Sequence, residues 1–281
     1  MPYSAPSSQI RSGVAASVPR KSLESLLREV WSPTQRARSP YSHLHRPGFG
    51  QGAGARLAEL DGDHFAHTTD PDCPTGAIRS RGYRERVAPT PLHRALTELG
   101  PDLRPLPPRA EGLLRELDAP PRLAAHLRAV HDVAHQLLDR LDRDHGDLAA
   151  DREAVLFGAA SHDIGKTIHR QELSGPGSAH EEAGHRILLD HGVEERLARF
   201  ARTHASWTEP GITIEDLLVS LADKIWKAKR LPDLEQRAVA YLTEASGKAP
   251  WQVFRDLDDL LTDIAADADH RLAFQSSYPI S

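Results

Sequence analysis

A chain of 281 residues is long enough for one large domain or two small ones, but 39% apolar side chains is lean for that length, so part of it is expected to stay unpacked. A formal charge of −5, without any long run of Lys or Arg, leaves no stripe to track a nucleic-acid backbone, and no apolar run approaches the roughly 18 residues of a membrane helix. One cysteine, Cys73, excludes an internal disulfide framework and a thiolate zinc site and fits a reducing compartment. Met1 to Arg20 has no apolar core of signal-peptide length, so the expectation is a soluble cytoplasmic protein. Its oligomeric state is left open.

Fourteen of the 21 prolines fall in residues 1–110, which concentrates loop punctuation at the front, whereas ten of the 16 histidines fall between His126 and His204. Residues 1–88 are rich in Ser, Pro, Gly and Arg and offer too little apolar surface to offset ordering entropy. They read as a largely disordered or loosely ordered region with one amphipathic segment around Ser22 to Trp31, and His43, His45, His64 and His67 read as solvated tail residues. The ordered domain is expected over 89–275, with a core at 110–230 followed by C-terminal helices.

Thr90-Pro91 has the form of an N-cap followed by Pro at the first helical position, with Gly100 as the stop. Ala110 to Leu117 reads as a second short helix, and Pro120-Pro121 opens a long one to about Arg143. Its stripe (Leu123, Leu127, Val130, Val133, Ala134, Leu137, Leu138, Leu141) runs at spacings of three and four residues. His126 falls on the inward side of that stripe, while His131 and His135 rotate away from it.

Asp151 begins a helix that carries His162-Asp163 at its end, where Gly165 is expected to break it. Ala179 to His191 follows with Gly192 as its stop, then Glu194 to His204. Thr213 and Asp216 form a capping-box variant opening a helix to about Arg230. Two more helices, about Asp233 to Ala245 and Trp251 to Phe274, close the chain. No segment shows the alternation of a strand, so the fold class is all-α.

An adjacent His-Asp pair makes a poor core motif, since neighbours on a helix cannot share a face. It can instead offer an imidazole and a carboxylate to one metal ion as the helix ends. Further candidates follow in order: His126, His162-Asp163, His180, His204 and Asp223, each on or at the end of a separate expected helix.

This series resembles the HD superfamily of metal-dependent phosphohydrolases over about residues 110–230. The likeness rests on His126 with Val130 and Ala134, on Ala159 to Lys166 with its His-Asp-Ile-Gly-Lys run, on His180-Glu181-Glu182-Ala183-Gly184, and on Leu221-Ala222-Asp223-Lys224. His185 competes with His180, which the Glu and Gly spacing favours. Ala205-Ser206-Trp207 lacks the signature of the HD-GYP branch, which argues against a cyclic dinucleotide substrate.

The resemblance implies a helical bundle with His126, His162, Asp163 and Asp223 around a first metal. His180 and His204 would hold a second, with Asp163 bridging. Imidazole and carboxylate ligands suit one or two divalent ions among Mn, Fe, Co, Ni, Zn and Mg. Such ions activate water and neutralise phosphoryl charge. Asp163 and Lys166 are the candidate catalytic residues, with Lys166 and Lys224 as candidate contacts to substrate phosphate.

The leading expectation is hydrolysis of a phosphoester in a small molecule, a nucleotide foremost. The alternatives are an HD-type di-iron oxygenase and a non-catalytic metal- or nucleotide-binding regulatory module.

Overall fold

The computed structural model describes residues 88–98, 103–146 and 149–280. The expected tail, its amphipathic segment at 22–31, Cys73, the four early histidines and the Gly100 stop lie outside the described residues.

Helix α1 (Pro91–Thr97) begins where Thr90 Oγ1 accepts from His93 N at 3.2 Å, leaving proline at a position whose missing N–H is unneeded. α2 (Pro108–Glu116) and α3 (Pro121–His145) also start on prolines. α3 is the axis of the fold, in contact with α1 as well as with four later helices described below.

Being surrounded, α3 buries more than one stripe: Leu123, Leu127, Leu137, Leu138 and Leu141 are enclosed, and so are Arg128, His131 and Asp132. Each such leucine contributes about 1.5–3 kcal/mol of transfer free energy, against which ordering entropy is set. Periodicity had placed His126 inward and turned His131 away. Both are buried, on different sides, because the second side of α3 is covered by α1 and the segment after it. Arg128 ties that cover down, donating to Glu98 O (2.7 Å), Leu103 O (2.8 Å) and Arg104 O (3.2 Å).

α4 (Arg152–Ser161) is capped by Asp151, whose Oδ1 accepts from Ala154 N at 3.0 Å. The chain then tightens into two 3-10 turns, Ile164–Thr167 and Arg170–Leu173. α5 (Ala179–Asp190) follows, then two single turns, α6 (Glu195–Ala198) and α7 (Phe200–Thr203), where one helix was expected. α8 (Ile214–Ile225) opens with the expected capping box, Thr213 N donating to Asp216 Oδ2 at 3.0 Å.

α8 stops five residues short of the expected Arg230 because the chain reverses there. Ala228 adopts a φ of 56°, with Lys229 N donating to Lys224 O (3.1 Å) and Ala228 N to Ile225 O (2.9 Å). This is a Schellman closure with alanine where glycine is usual. α5 closes in the same way through Gly192.

α9 (Pro232–Ser246), α10 (Pro250–Ala266) and α11 (Ala268–Ser276) complete the fold. The expected helix from Trp251 to Phe274 is broken at Asp267, and the change of direction carries α11 across α3. Packing continues past 275: Tyr278 is buried and Arg122 Nε donates to its carbonyl at 2.9 Å. α4, α8, α10 and α11 all lean on α3, and the described residues contain helices, turns and no strand. The fold is all-α, and among the described residues no helix is long and apolar enough to cross a membrane.

Candidate metal centre

Six side chains from five places in the sequence converge beside α3. His126 projects from its first half, His162 and Asp163 follow the last turn of α4, His180 is the second residue of α5, His204 follows α7, and Asp223 lies in the last turn of α8. None is more than 7% exposed.

They form two groups whose ligand atoms lie within 4.8 Å of one another: His126, His162 and Asp223, and Asp163, His180 and His204. Asp163 spans both. Its Oδ2 is 3.1 Å from His126 Nε2 and 3.7 Å from His162 Nε2, while Oδ1 is 3.0 Å from His180 Nε2 and 3.7 Å from His204 Nε2. Asp223 Oδ1 closes the first group at 3.5 Å from His162 Nε2 and 3.7 Å from His126 Nε2.

The hydrogen bonding on the far side of each ring tests whether these residues suit a cation. His162 Nδ1 lies 3.1 Å from Ala159 O, His204 Nδ1 3.1 Å from Ala201 O, and His180 Nδ1 2.5 Å from Glu172 Oε2. Those acceptors put the proton on Nδ1 and leave a lone pair on Nε2, the form in which imidazole binds a metal. The Nε2 atoms of His126, His162 and His180, with Asp163 Oδ1, are buried and lack any aligned hydrogen-bond partner despite their proximity. Buried lone pairs left unpaired are costly, and atoms aimed at a shared point rather than at each other are what a cation would satisfy. The donor set therefore fits a divalent ion.

Electrostatics points the same way. Burial alone would raise the Asp163 carboxyl, but the His162, His126 and His180 rings and the Lys166 ammonium outweigh it and hold Asp163 well below the ordinary carboxylate range. Asp223, also opposed by burial, is likewise lowered by His162 and Lys224. Burial lowers His126, and burial together with His162 takes His204 down to about 3. For His180, burial is overcome by the Asp163 and Glu172 carboxylates and the net shift is upward.

Lys166 Nζ sits 2.6 Å from Asp163 Oδ2 and Lys224 Nζ 2.5 Å from Asp223 Oδ2. Their side chains are 18% and 15% exposed, so they form the solvent side of the cluster. Half-buried Trp207 lies beside Lys224, its ring centroid 5.9 Å from Lys224 Nζ. His185 is placed elsewhere, with Nε2 2.9 Å from Glu195 Oε2.

Gly165, expected to end α4, has a different task. Its φ is not positive. A Cβ there would run into the backbone of α5 at His180 and Gly184, so glycine allows the turn carrying Asp163 to lie directly against the helix carrying His180.

Sequence reasoning missed Glu172. It engages His180 Nδ1 and also accepts from the Ala179 and His180 backbone N–H groups, at 3.2 Å each. No periodicity marks a residue in a 3-10 turn, and the only local hint is Gly177, where a side chain would collide with the Glu172 carboxylate.

These features define an all-α protein with paired histidine and aspartate groups able to hold metal. The stretch that contains them, residues 123–226, matches the HD domain family, and the chain carries an HD domain there. No curated protein and no solved structure was found to match the chain.

Proposed function

We propose that this chain is a metal-dependent phosphohydrolase acting on a small phosphorylated molecule, a nucleotide foremost, with its catalytic unit in the helical region from residue 89 onward. The observation that carries the reading is the Asp163 carboxylate, which turns one oxygen to each of two buried ligand groups. In this reading His126, His162, Asp163 and Asp223 hold one divalent ion, and His180, His204 and Asp163 hold a second. Mn, Fe, Co, Ni, Zn and Mg all accept such ligands. Bound ions supply Lewis-acid charge for a phosphoryl oxygen and lower the pKa of water.

The protein's own groups do the rest. The lowered carboxyls keep Asp163 and Asp223 ionised, and the lowered imidazoles keep His126 and His204 neutral, at physiological pH. Lys166 and Lys224 balance the two carboxylates in the present geometry. With those carboxylates engaged by bound metal, the Lys166 and Lys224 ammoniums would be free to hold substrate phosphate from the solvent side. Trp207, next to Lys224, offers an aromatic face on which a base can stack, which supports a nucleotide over a simple phosphomonoester.

The test is phosphate release from a panel of nucleotides and non-nucleotide phosphomonoesters, run without oxygen and with Mn, Co, Ni or Mg. Release that needs metal and disappears in Asp163→Asn is expected. Metal-loaded protein that releases no phosphate, yet consumes oxygen with a substrate, would overturn the reading.

A further inference from the structure

Three of the four histidines in the centre are oriented by an acceptor at Nδ1. His126 is the exception: both its ring nitrogens are buried without a hydrogen-bond partner. A ligand histidine without an outer hydrogen bond needs another constraint on its ring, because tautomer and orientation are otherwise free.

What His126 has instead is Trp226. The two rings meet edge to face with centroids 4.8 Å apart and an interplanar angle of 66°, closer than the 5.4 Å between His126 and His162. Trp226 is 3% exposed, and its Nε1 is buried without a partner, so the indole is not anchored through its own N–H. Its backbone is anchored. Arg271 Nε donates to Trp226 O at 2.8 Å, the Arg271 guanidinium also binds Ile264 O at the end of α10, and the Ala228 reversal fixes the chain on the other side. Lys227 Nζ, 5.6 Å from the ring centroid, covers the indole from outside.

We infer that Trp226 is the positioning residue of His126, fixing by ring contact the orientation that hydrogen bonds fix for the other histidines, and that Arg271 holds it there from beyond the matched HD segment. This rests on the reading of the six residues as a metal centre. It makes the C-terminal helices part of that centre's support, although neither Trp226 nor Arg271 offers a ligand atom. A tryptophan that merely filled space would be replaceable by any side chain of adequate volume. One that orients His126 requires an aromatic ring against it.

The experiment titrates Co²⁺ into full-length protein carrying His204→Ala, which confines binding to the first group, and follows visible absorbance, with circular dichroism as the check on folding. Trp226→Met is expected to weaken Co²⁺ binding about tenfold or more and to shift the absorption band, the scale typical of lost outer support for a ligand. Trp226→Phe, which keeps an aromatic ring there, is expected to stay within about threefold of the parent, and Arg271→Lys to lose at least about threefold with Trp226 itself intact.

A folded Trp226→Met protein with the parent's affinity and spectrum overturns the inference, as does equal weakening by Phe and Met. Should Trp226→Met not fold, unchanged affinity in folded Arg271→Lys overturns it. Failure of the His204→Ala parent to bind Co²⁺ overturns the metal reading itself, which separates the two failures.

Discussion

Gly165→Ala is a one-carbon change that should split the centre in two. The added Cβ would lie 2.6 Å from Gly184 N and 2.8 Å from His180 C, and nearer still to His180 O, where real Cβ atoms essentially never come within 3.0 Å. All of these atoms are backbone, so no side chain can rotate aside. The turn and α5 must part by about 1 Å, and small-to-large changes at such crossings cost about 1–3 kcal/mol.

The separation falls between Asp163, two residues before the new methyl, and His180, whose Nε2 now lies 3.0 Å from Asp163 Oδ1. Metal–ligand distances tolerate roughly 0.2 Å. The second ion should therefore be lost while His126, His162 and Asp223, which lie on α3, at the end of α4 and on α8, keep the first.

Elemental analysis after dialysis, with thermal unfolding on the same sample, checks this. The expected result is one ion per chain in a folded but less stable protein. Two ions bound with native affinity would refute the close-approach argument. Gly184→Ala is the internal control: its Cβ would meet Gly165 N at 3.0 Å and the Ala201 methyl at 3.2 Å, so its effect should be smaller.

Glu172→Gln keeps the size of the side chain but removes the charge at His180 Nδ1, and should weaken the second ion about 10- to 100-fold in a calorimetric titration while leaving the first. A second ion bound as tightly as in the native protein would show that Glu172 serves only to cap α5. Ala228→Gly should raise stability by about 1 kcal/mol in urea unfolding, because glycine adopts the left-handed conformation at no steric cost. A loss of stability would mean that the Ala228 methyl makes contacts worth more than its strain.

His131, on the opposite side of α3 from the centre, is pushed down to about 3 by burial and by His135, with Arg104 and Arg128 adding to the effect. Its folded pKa lies below the unfolded value, so the unfolded chain binds the extra proton and stability falls as pH drops from 6.5 toward 3, by up to about 1.4 kcal/mol per unit. His131→Leu should flatten that dependence between pH 6 and 4 without altering metal affinity, and an unchanged pH profile would contradict it.

What the sequence disclosed follows from how local each signal is. Thr90-Pro91, Asp151 and the Thr213–Asp216 box are written in neighbouring residues, and the structure uses all three. Gly192 announced the end of α5 because glycine marks a left-handed residue, whereas the same closure at Ala228 was silent and α8 was drawn too long. Between Trp251 and Phe274 the apolar spacing runs on past Asp267, so nothing local signals the bend that α3 imposes.

The same division holds in the centre. Spacing and resemblance singled out the six converging residues, but spacing could not reveal that Glu172 backs His180 or that Trp226 lies against His126. Both contacts depend on how separate segments meet. Gly165 was noticed for the wrong reason, since a helix stop and a close crossing leave the same letter in the sequence.

The most direct test of the account is the number of ions held per chain by the native protein and by His126→Ala and His204→Ala, measured by elemental analysis after loading with Mn or Co. Two ions are expected in the native protein and one in each variant, with the survivor in the group left intact. Native protein that holds no ion under any loading condition, or variants that keep both, would contradict it.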